Sequence, residues 1–197
     1  MIIISSPSLL LFSQACQLDG ENQSPVYEFD AFVAYSSDDS DFVLTVLKPE
    51  LEERQRLRLC IHERDFFPGR NIVENIADCI NSSKALLFIF SKAFSRSQWC
   101  SFELEIGITM VQEHSLPLVI IHCDDLPKHE IKGAMQIAMR LYRCFHWSNT
   151  NRLSGDKTSE FWTSVKTALQ TESPVNAGRK LTVFSVWDRF KNALFKR

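Results

Sequence analysis

Residues 85–90, Ala85-Leu86-Leu87-Phe88-Ile89-Phe90, form an unbroken apolar run flanked by Lys84 and by Ser91-Lys92. A strand with one wet face alternates apolar and polar positions; a strand covered on both faces has no reason to. The run therefore predicts a strand in the middle of a parallel sheet. Four more apolar runs lie on either side of it: residues 29–35 (FDAFVAY), 57–61 (LRLCI), 118–122 (LVIIH) and 142–147 (YRCFHW). About 20 residues or more separate successive runs, enough for the crossover that parallel neighbours require.

The intervals carry helical periodicity. Ile72, Val73, Ile76, Ala77 and Ile80 fall on one face of a helix, with Asn71 as candidate N-cap and Glu74 at the capping-box position. Trp99, Phe102, Ile106 and Met110 mark one stripe of the next helix, and Leu104, Ile108 and Val111 mark a second. That helix is expected to be buried on more than one side. The first interval, 41–56, is helical by period but holds Pro49, which predicts a kink. The fourth, with Pro127 and Gly133, carries the weakest helical signal. Phe161, Trp162, Val165, Ala168 and Leu169 close the series as an amphipathic helix. Alternating strands and helices in this order predict an α/β fold, a flavodoxin-like doubly wound sheet of five parallel strands in the order 2-1-3-4-5 with helices on both faces. Its crevice should lie between the loops after the first and third strands.

Composition narrows the function classes. The 197 residues carry 22 Lys+Arg against 24 Asp+Glu, and 45% are hydrophobic. This is globular composition, which argues against a disordered chain or a nucleic-acid binder. The balance is uneven along the chain. Residues 179–197 hold six Lys+Arg and one Asp, +5, which leaves −7 for the rest. The expected organisation is an apolar leader and polar linker over 1–26, one domain over 27–172, and a basic amphipathic tail over 173–197. Within that tail, residues 181–197 have the pattern of a helix that lies on an anionic membrane surface. Residues 1–12 are apolar but uncharged, broken by Pro7, and too short to span a bilayer.

Six cysteines without a CxxC pair predict a reduced, cytoplasmic protein. Cys60, Cys123 and Cys144 sit in apolar runs and are expected to behave as small hydrophobes. No HExxH or zinc-finger spacing occurs, so no metal is expected. Neither GxGxxG nor GxxxxGK[ST] is present, which removes the common nucleotide-binding classes and leaves no cofactor implied. Asp38, Asp39 and Asp41 after the first strand suit a helix start. A phosphoacceptor receiver would also need an Asp ending strand three and a Lys ending strand five; Phe90-Ser91-Lys92 and His146-Trp147 stand there instead.

The loop after strand two, Arg64-Asp65-Phe66-Phe67-Pro68-Gly69, sets two rings beside a turn-forming Pro-Gly pair and among charges. This composition predicts a rigid, amphipathic protrusion suited to a protein interface.

These residues resemble the Toll/interleukin receptor (TIR) domain family. FDAFVAY, with Asp30 and Tyr35, resembles its box 1, with Ala34 where Ser is frequent. RDFFPG resembles box 2, the BB loop, and Phe161-Trp162 resembles box 3. Trp99-Cys100-Ser101-Phe102-Glu103 matches the family's WCxxE motif. LCIHERDFFPG and NIVENI are similar to the cytoplasmic domains of vertebrate-type Toll-like receptors. The resemblance implies an innate-immune signalling module that works through TIR–TIR association. Arg64, Asp65, Phe66, Phe67, Pro68 and Gly69 would form the contact, and adaptors such as the myeloid differentiation primary response protein would be recruited. Asp30, Tyr35, Trp99, Cys100, Phe161 and Trp162 would be motif or structural residues. The resemblance also implies an alternative, since some TIR domains hydrolyse NAD: Glu103 aligns with their catalytic carboxylate, and NAD would be its substrate. Receptor-type members share this Glu and act as scaffolds, so the enzymatic class stays open, with the scaffold as leading reading. Whether the chain is part of a longer receptor also stays open.

Overall fold

The computed structural model describes residues 27–114, 116–123, 126–131, 133–148 and 155–171. The leader 1–26 and the tail 173–197 lie outside the described residues. Five parallel strands, β1 (Ala31–Ala34), β2 (Leu59–Ile61), β3 (Leu86–Phe90), β4 (Leu118–Cys123) and β5 (Arg143–Trp147), form one sheet in the order β2-β1-β3-β4-β5. Each coincides with one apolar run of the sequence. The run 85–90 is buried throughout and lies at the centre, with Phe32 paired to Leu86 on one side and Leu86 to Leu118 on the other.

Alternation along the strands divides the core in two. Phe32, Cys60, Leu86, Phe88, Phe90 and Ile120 point to one face. There they meet α3 (Ile72–Asn81), α5 (Gln98–His114) and α6 (Ala134–Leu141), through residues such as Ile76, Leu104 and Ala138. Ala31, Val33, Leu59, Leu87, Ile89 and Val119 point to the other. That face is covered by a helical segment over residues 40–54, here α1, and by α7 (Gly155–Leu169), through Val43, Leu47, Leu51, Trp162 and Val165. Two short α-helices, α2 (His62–Asp65) and α4 (Lys92–Arg96), follow β2 and β3, and single 3-10 turns lie at Ser37–Asp39 and Lys128–Glu130.

α1 shows what Pro49 does. Its first turn, Ser40–Phe42, is α-helical, but Val43–Leu47 and Pro49–Arg54 adopt π-helical geometry. Proline has no N–H for the carbonyl of Thr45, and its ring crowds that carbonyl. A wider turn relieves both problems. The helix thus continues through the proline by widening, and Val43, Leu47 and Leu51 keep one buried face.

Two side chains depart from the sequence expectation. Ile72 is exposed, so the buried face of α3 is built from Asn75, Ile76, Cys79 and Ile80. Cys144, expected among apolar neighbours, is exposed because β5 is an edge strand whose Arg143, Cys144 and His146 face outward. The doubly buried α5 holds. Gly107 lies so close to the sheet that a Cβ there would come within 2.7 Å of Phe88 Cζ.

Candidate functional site

The loop after β2 is built from α2 outward. Asp65 turns back into the fold, and its Oδ2 accepts the Ile61 N–H at 2.7 Å. The Arg64 guanidinium donates through Nε to Asp65 Oδ1 at 2.8 Å, reaches Glu52 Oε1 at 3.1 Å, and donates to the Leu59 carbonyl. These carboxylates hold the guanidinium above its ordinary pKa, Asp65 most strongly. Arg64 and Asp65 are therefore engaged within the domain, where they tie the root of the loop to β2 and α1.

Phe66 and Phe67 part company. Phe66 is half-buried and packs on the core cluster of Phe32 and Phe88. Its ring lies 5.9 Å from His62, which stacks on Tyr35 at 4.4 Å. Burial holds the His62 imidazole below its ordinary pKa, so it stacks as a neutral ring near pH 7. Phe67 is 63% exposed. The sequence expectation of two projecting rings thus holds for one of them, because Phe66 finds a ready apolar surface beneath it.

The tip is held from below. Asn75, only 4% exposed, accepts the Phe67 N–H on Oδ1 at 3.0 Å and donates Nδ2 to the Phe67 carbonyl at 3.2 Å. Pro68 and Gly69 follow as the central residues of a turn closed by the Arg70 N–H on the Phe67 carbonyl, 3.4 Å. Gly69 has φ +84°, the left-handed value that a type II turn requires at this position. Arg70 lies 5.0 Å over the Phe67 ring and pairs with Asp78 at 2.7 Å. Neither Asn75 nor Arg70 emerges from the loop motif alone. The available signal was a polar residue at 75 on the same helical face as Ile76, Cys79 and Ile80.

The second region lies at the C-terminal ends of β1 and β3. Ser91, fully buried, donates to Asp39 Oδ2 at 2.6 Å and accepts the Phe94 N–H. Nearby on α5, Cys100 and Glu103 are 3% and 9% exposed. Burial pushes the Glu103 carboxyl up to about 8 and the Cys100 thiol up to about 12. Glu103 Oε2 has no hydrogen-bond partner among the described residues. A carboxyl in this state is a neutral acid at pH 7, not an anion.

The other motif residues sit in the frame. Asp30 accepts the Arg58 N–H at 2.8 Å and pairs with Lys84 at 2.8 Å, so it joins the starts of β1, β2 and β3. Burial alone would raise its pKa, but Lys84 and the Arg58 amide bring it below the ordinary value. Tyr35 is buried under His62. Phe161 and Trp162 join Trp147 in an aromatic cluster, each with its ring centroid 5.1 Å from that of Trp147. Trp99 occupies the second position of α5, and its side chain lies outside the described residues. Among the described residues no group of three or more His, Cys, Asp or Glu could hold a metal ion, and no helix is long and apolar enough to cross a membrane.

A flavodoxin-like sheet with a rigid projecting loop after β2 defines an α/β module that offers the exposed Phe67 ring at a turn. The family model described as "TIR domain" matches residues 28–186, and the chain belongs to this family. Human Toll-like receptor 1 is 33% identical over 148 residues, covering 72% of this chain and 18% of the receptor. Human Toll-like receptor 6 is 34% identical over 149 residues, and goat Toll-like receptor 2 is 31% identical over 147, with coverage of 72% and 73% of this chain and 18% of each receptor. The chain thus spans less than a fifth of the length of these relatives. Among solved structures, the TIR domain of the Toll-related receptor TRR-2 from Hydra magnipapillata superposes with TM-score 0.54 at 23% identity, covering 73% of this chain and 99% of that one. A TIR-STING receptor from C. gigas in complex with 2',3'-cGAMP gives 0.57 at 22% identity, over 77% of this chain and 42% of that one. Both share the fold.

Proposed function

We propose that the protein is an innate-immune signalling module of the Toll-like receptor type. It assembles by TIR–TIR association through the loop after β2 and recruits TIR adaptor proteins at the cytosolic face of a membrane. The observation that carries this reading is the presentation of Phe67: an exposed ring on a backbone pinned by a buried asparagine, at a turn preset by Pro68 and Gly69. A preorganised apolar anchor loses little conformational entropy on binding, which is what a protein contact needs. Phe67, Pro68, Gly69 and Arg70 form the contact surface in this proposal, while Arg64, Asp65 and Phe66 act as its brace. The basic segment 181–197 would add contact with anionic lipid, and the domain is proposed to run over 27–172. In the test, Pro68→His abolishes capture of a TIR adaptor while the melting temperature stays within about 3 °C. Unchanged capture argues against the proposal.

A second reading, NAD hydrolysis by Glu103, is favoured by one observation: a buried carboxyl whose Oε2 has no hydrogen-bond partner among the described residues, close enough to Cys100 to act on its thiol. Such a group must ionise before it can stabilise positive charge on a ribose. NAD consumption by the purified chain, compared with Glu103→Ala, decides it; equal rates end the reading.

A further inference from the structure

All five strands enter the sheet at one end, and that end gathers cations. Arg56 and Arg58 lead into β2, Lys84 leads into β3, and Arg143 opens β5; all four are exposed. Parallel pairing sets these positions along one end, with Ala31 against Leu59, Phe32 against Leu86, Leu86 against Leu118 and Val119 against Arg143. Five strands spread them across ~19 Å. Lys84 pairs with Asp30, whereas Arg56 and Arg143 have no carboxylate partner among the described residues. The strand-entry segments 27–30, 55–58, 82–84, 116–117 and 141–143 carry these four cations against Glu28 and Asp30. That is a net +2, in a chain that is −7 outside residues 179–197.

Arg56 stands there against the preference of the backbone. α1 ends in a reversal in which the Gln55 N–H donates to the Glu50 carbonyl and the Leu57 N–H to the Leu51 carbonyl. Such a closure puts the residue between them in the left-handed region, and Arg56 has φ +61°. Glycine is the usual occupant, because a Cβ is strained in that conformation. Arg56 is the one non-glycine residue with positive φ among the described residues. Its side chain is exposed, so no ion pair within the described domain offsets the strain.

Both ends of the described domain meet this surface. The Tyr27 carbonyl accepts Arg58 Nη2 at 3.2 Å. The last turn of α7 reaches it through Lys166, which donates to the Gln55 carbonyl at 2.9 Å. Leu169 and Gln170 then line a cavity of about 290 Å³ with Asp30, Leu57, Lys84 and Pro117. Residues 179–197, which follow in the sequence, add +5 and interleave cations with Phe184, Trp187 and Phe190. We infer that the strand-entry end of the domain is a lipid-contact face, with an anionic bilayer as its partner and Arg56, Arg58, Lys84 and Arg143 as the residues that meet it. This rests on the proposed membrane location and names the surface of the domain that faces the lipid. Charge selects an anionic partner, and the aromatic residues of the adjoining segment select lipid over nucleic acid. Asp38, Asp39 and Asp41 follow β1 at the opposite end, so repulsion turns that end away from the bilayer. The loop after β2 lies at the same far end and is left open to protein.

Co-sedimentation of the full 197-residue chain with vesicles tests this. The vesicles are phosphatidylcholine alone, or phosphatidylcholine and phosphatidylserine at about 3:1, in low and in high salt. Wild type binds the anionic vesicles at least about tenfold more tightly than the neutral ones, and high salt removes the difference. Arg56→Gly/Arg143→Gln weakens that binding about tenfold, while its melting temperature equals or exceeds that of wild type because glycine relieves the left-handed strain. An arginine with a purely structural role would change stability and leave vesicle binding alone. Lys92→Gln/Lys128→Gln removes the same charge from the opposite end of the sheet and binds like wild type. If this control loses as much, net charge governs and the face assignment falls. If the arginine variant binds like wild type while Lys191→Gln/Lys196→Gln/Arg197→Gln does not, the face falls and the lipid contact of 181–197 stands. A wild type that ignores phosphatidylserine overturns both the face and the membrane location. A wild type that binds single-stranded RNA as tightly as the anionic vesicles overturns the choice of lipid; capture of a TIR adaptor in solution judges the loop separately.

Discussion

Asn75 holds both main-chain polar atoms of Phe67, accepting its N–H at 3.0 Å and donating to its carbonyl at 3.2 Å. This is the pairing a neighbouring strand would offer, supplied instead by one side chain on a helix eight residues away. It lets an exposed aromatic ring sit on a fixed backbone. Since Asn75 is itself buried, the tip is coupled to the packing of α3 against β1 and β3.

Asn75→Ala removes two hydrogen bonds and opens a small void. A net loss of about 1–2 kcal/mol is expected, from roughly 1 kcal/mol per bond. The separating observation is amide exchange: protection of the Phe67 N–H should vanish while that of β3 persists. Adaptor capture should fall with it.

Gly69→Ala tests the turn. No heavy atom lies within 4 Å of a Cβ built there, so space is not the obstacle. The cost comes from φ +84°, roughly 1–2 kcal/mol for an L-residue. Chemical denaturation should show a loss of that size, and Gly69→Asn, which tolerates the left-handed region, should lose less.

Gly107→Ala has the opposite cause. Alanine would improve helix propensity by about 1 kcal/mol, yet its Cβ would meet Phe88 Cζ at 2.7 Å. Overpacking against a central strand costs ~1–3 kcal/mol, so the variant should be destabilised on balance. Phe88→Leu in the same chain should recover part of the loss, a non-additivity that a double-mutant cycle reads directly.

The sheet was legible because strands covered on both faces write themselves as unbroken apolar runs, and 85–90 is the clearest. Its neighbours followed from spacing, and the turn at Pro68-Gly69 from local chemistry. Side-chain direction within the loop was not legible. Whether Arg64 faces a partner or the domain depends on Glu52, twelve residues earlier, and on the Leu59 carbonyl; no local pattern encodes either. Phe66 and Phe67 are identical in sequence terms, and only the apolar surface beneath one of them separates their fates. Cys144 and Ile72 failed for a related reason: apolar character marks an element, but position at its edge decides exposure.

Glu103 supplies a pH prediction with a definite sign. In the unfolded chain this carboxyl titrates near its ordinary value of 4.5; in the folded chain burial moves it to about 8. Between those values the folded protein holds a proton that the unfolded chain has released. Stability must then fall as pH rises from about 4.5 to 8, and level off above. Each pKa unit is worth about 1.4 kcal/mol, so the total is of the order of a few kcal/mol. Glu103→Gln, which keeps the neutral shape, should flatten this part of the stability profile and be the more stable protein at pH 8. A profile unchanged by the substitution would mean that Glu103 is already ionised in the folded state, the form that the NAD-hydrolysing alternative requires. The same measurement thus weighs the stability cost of the buried acid and its fitness for catalysis.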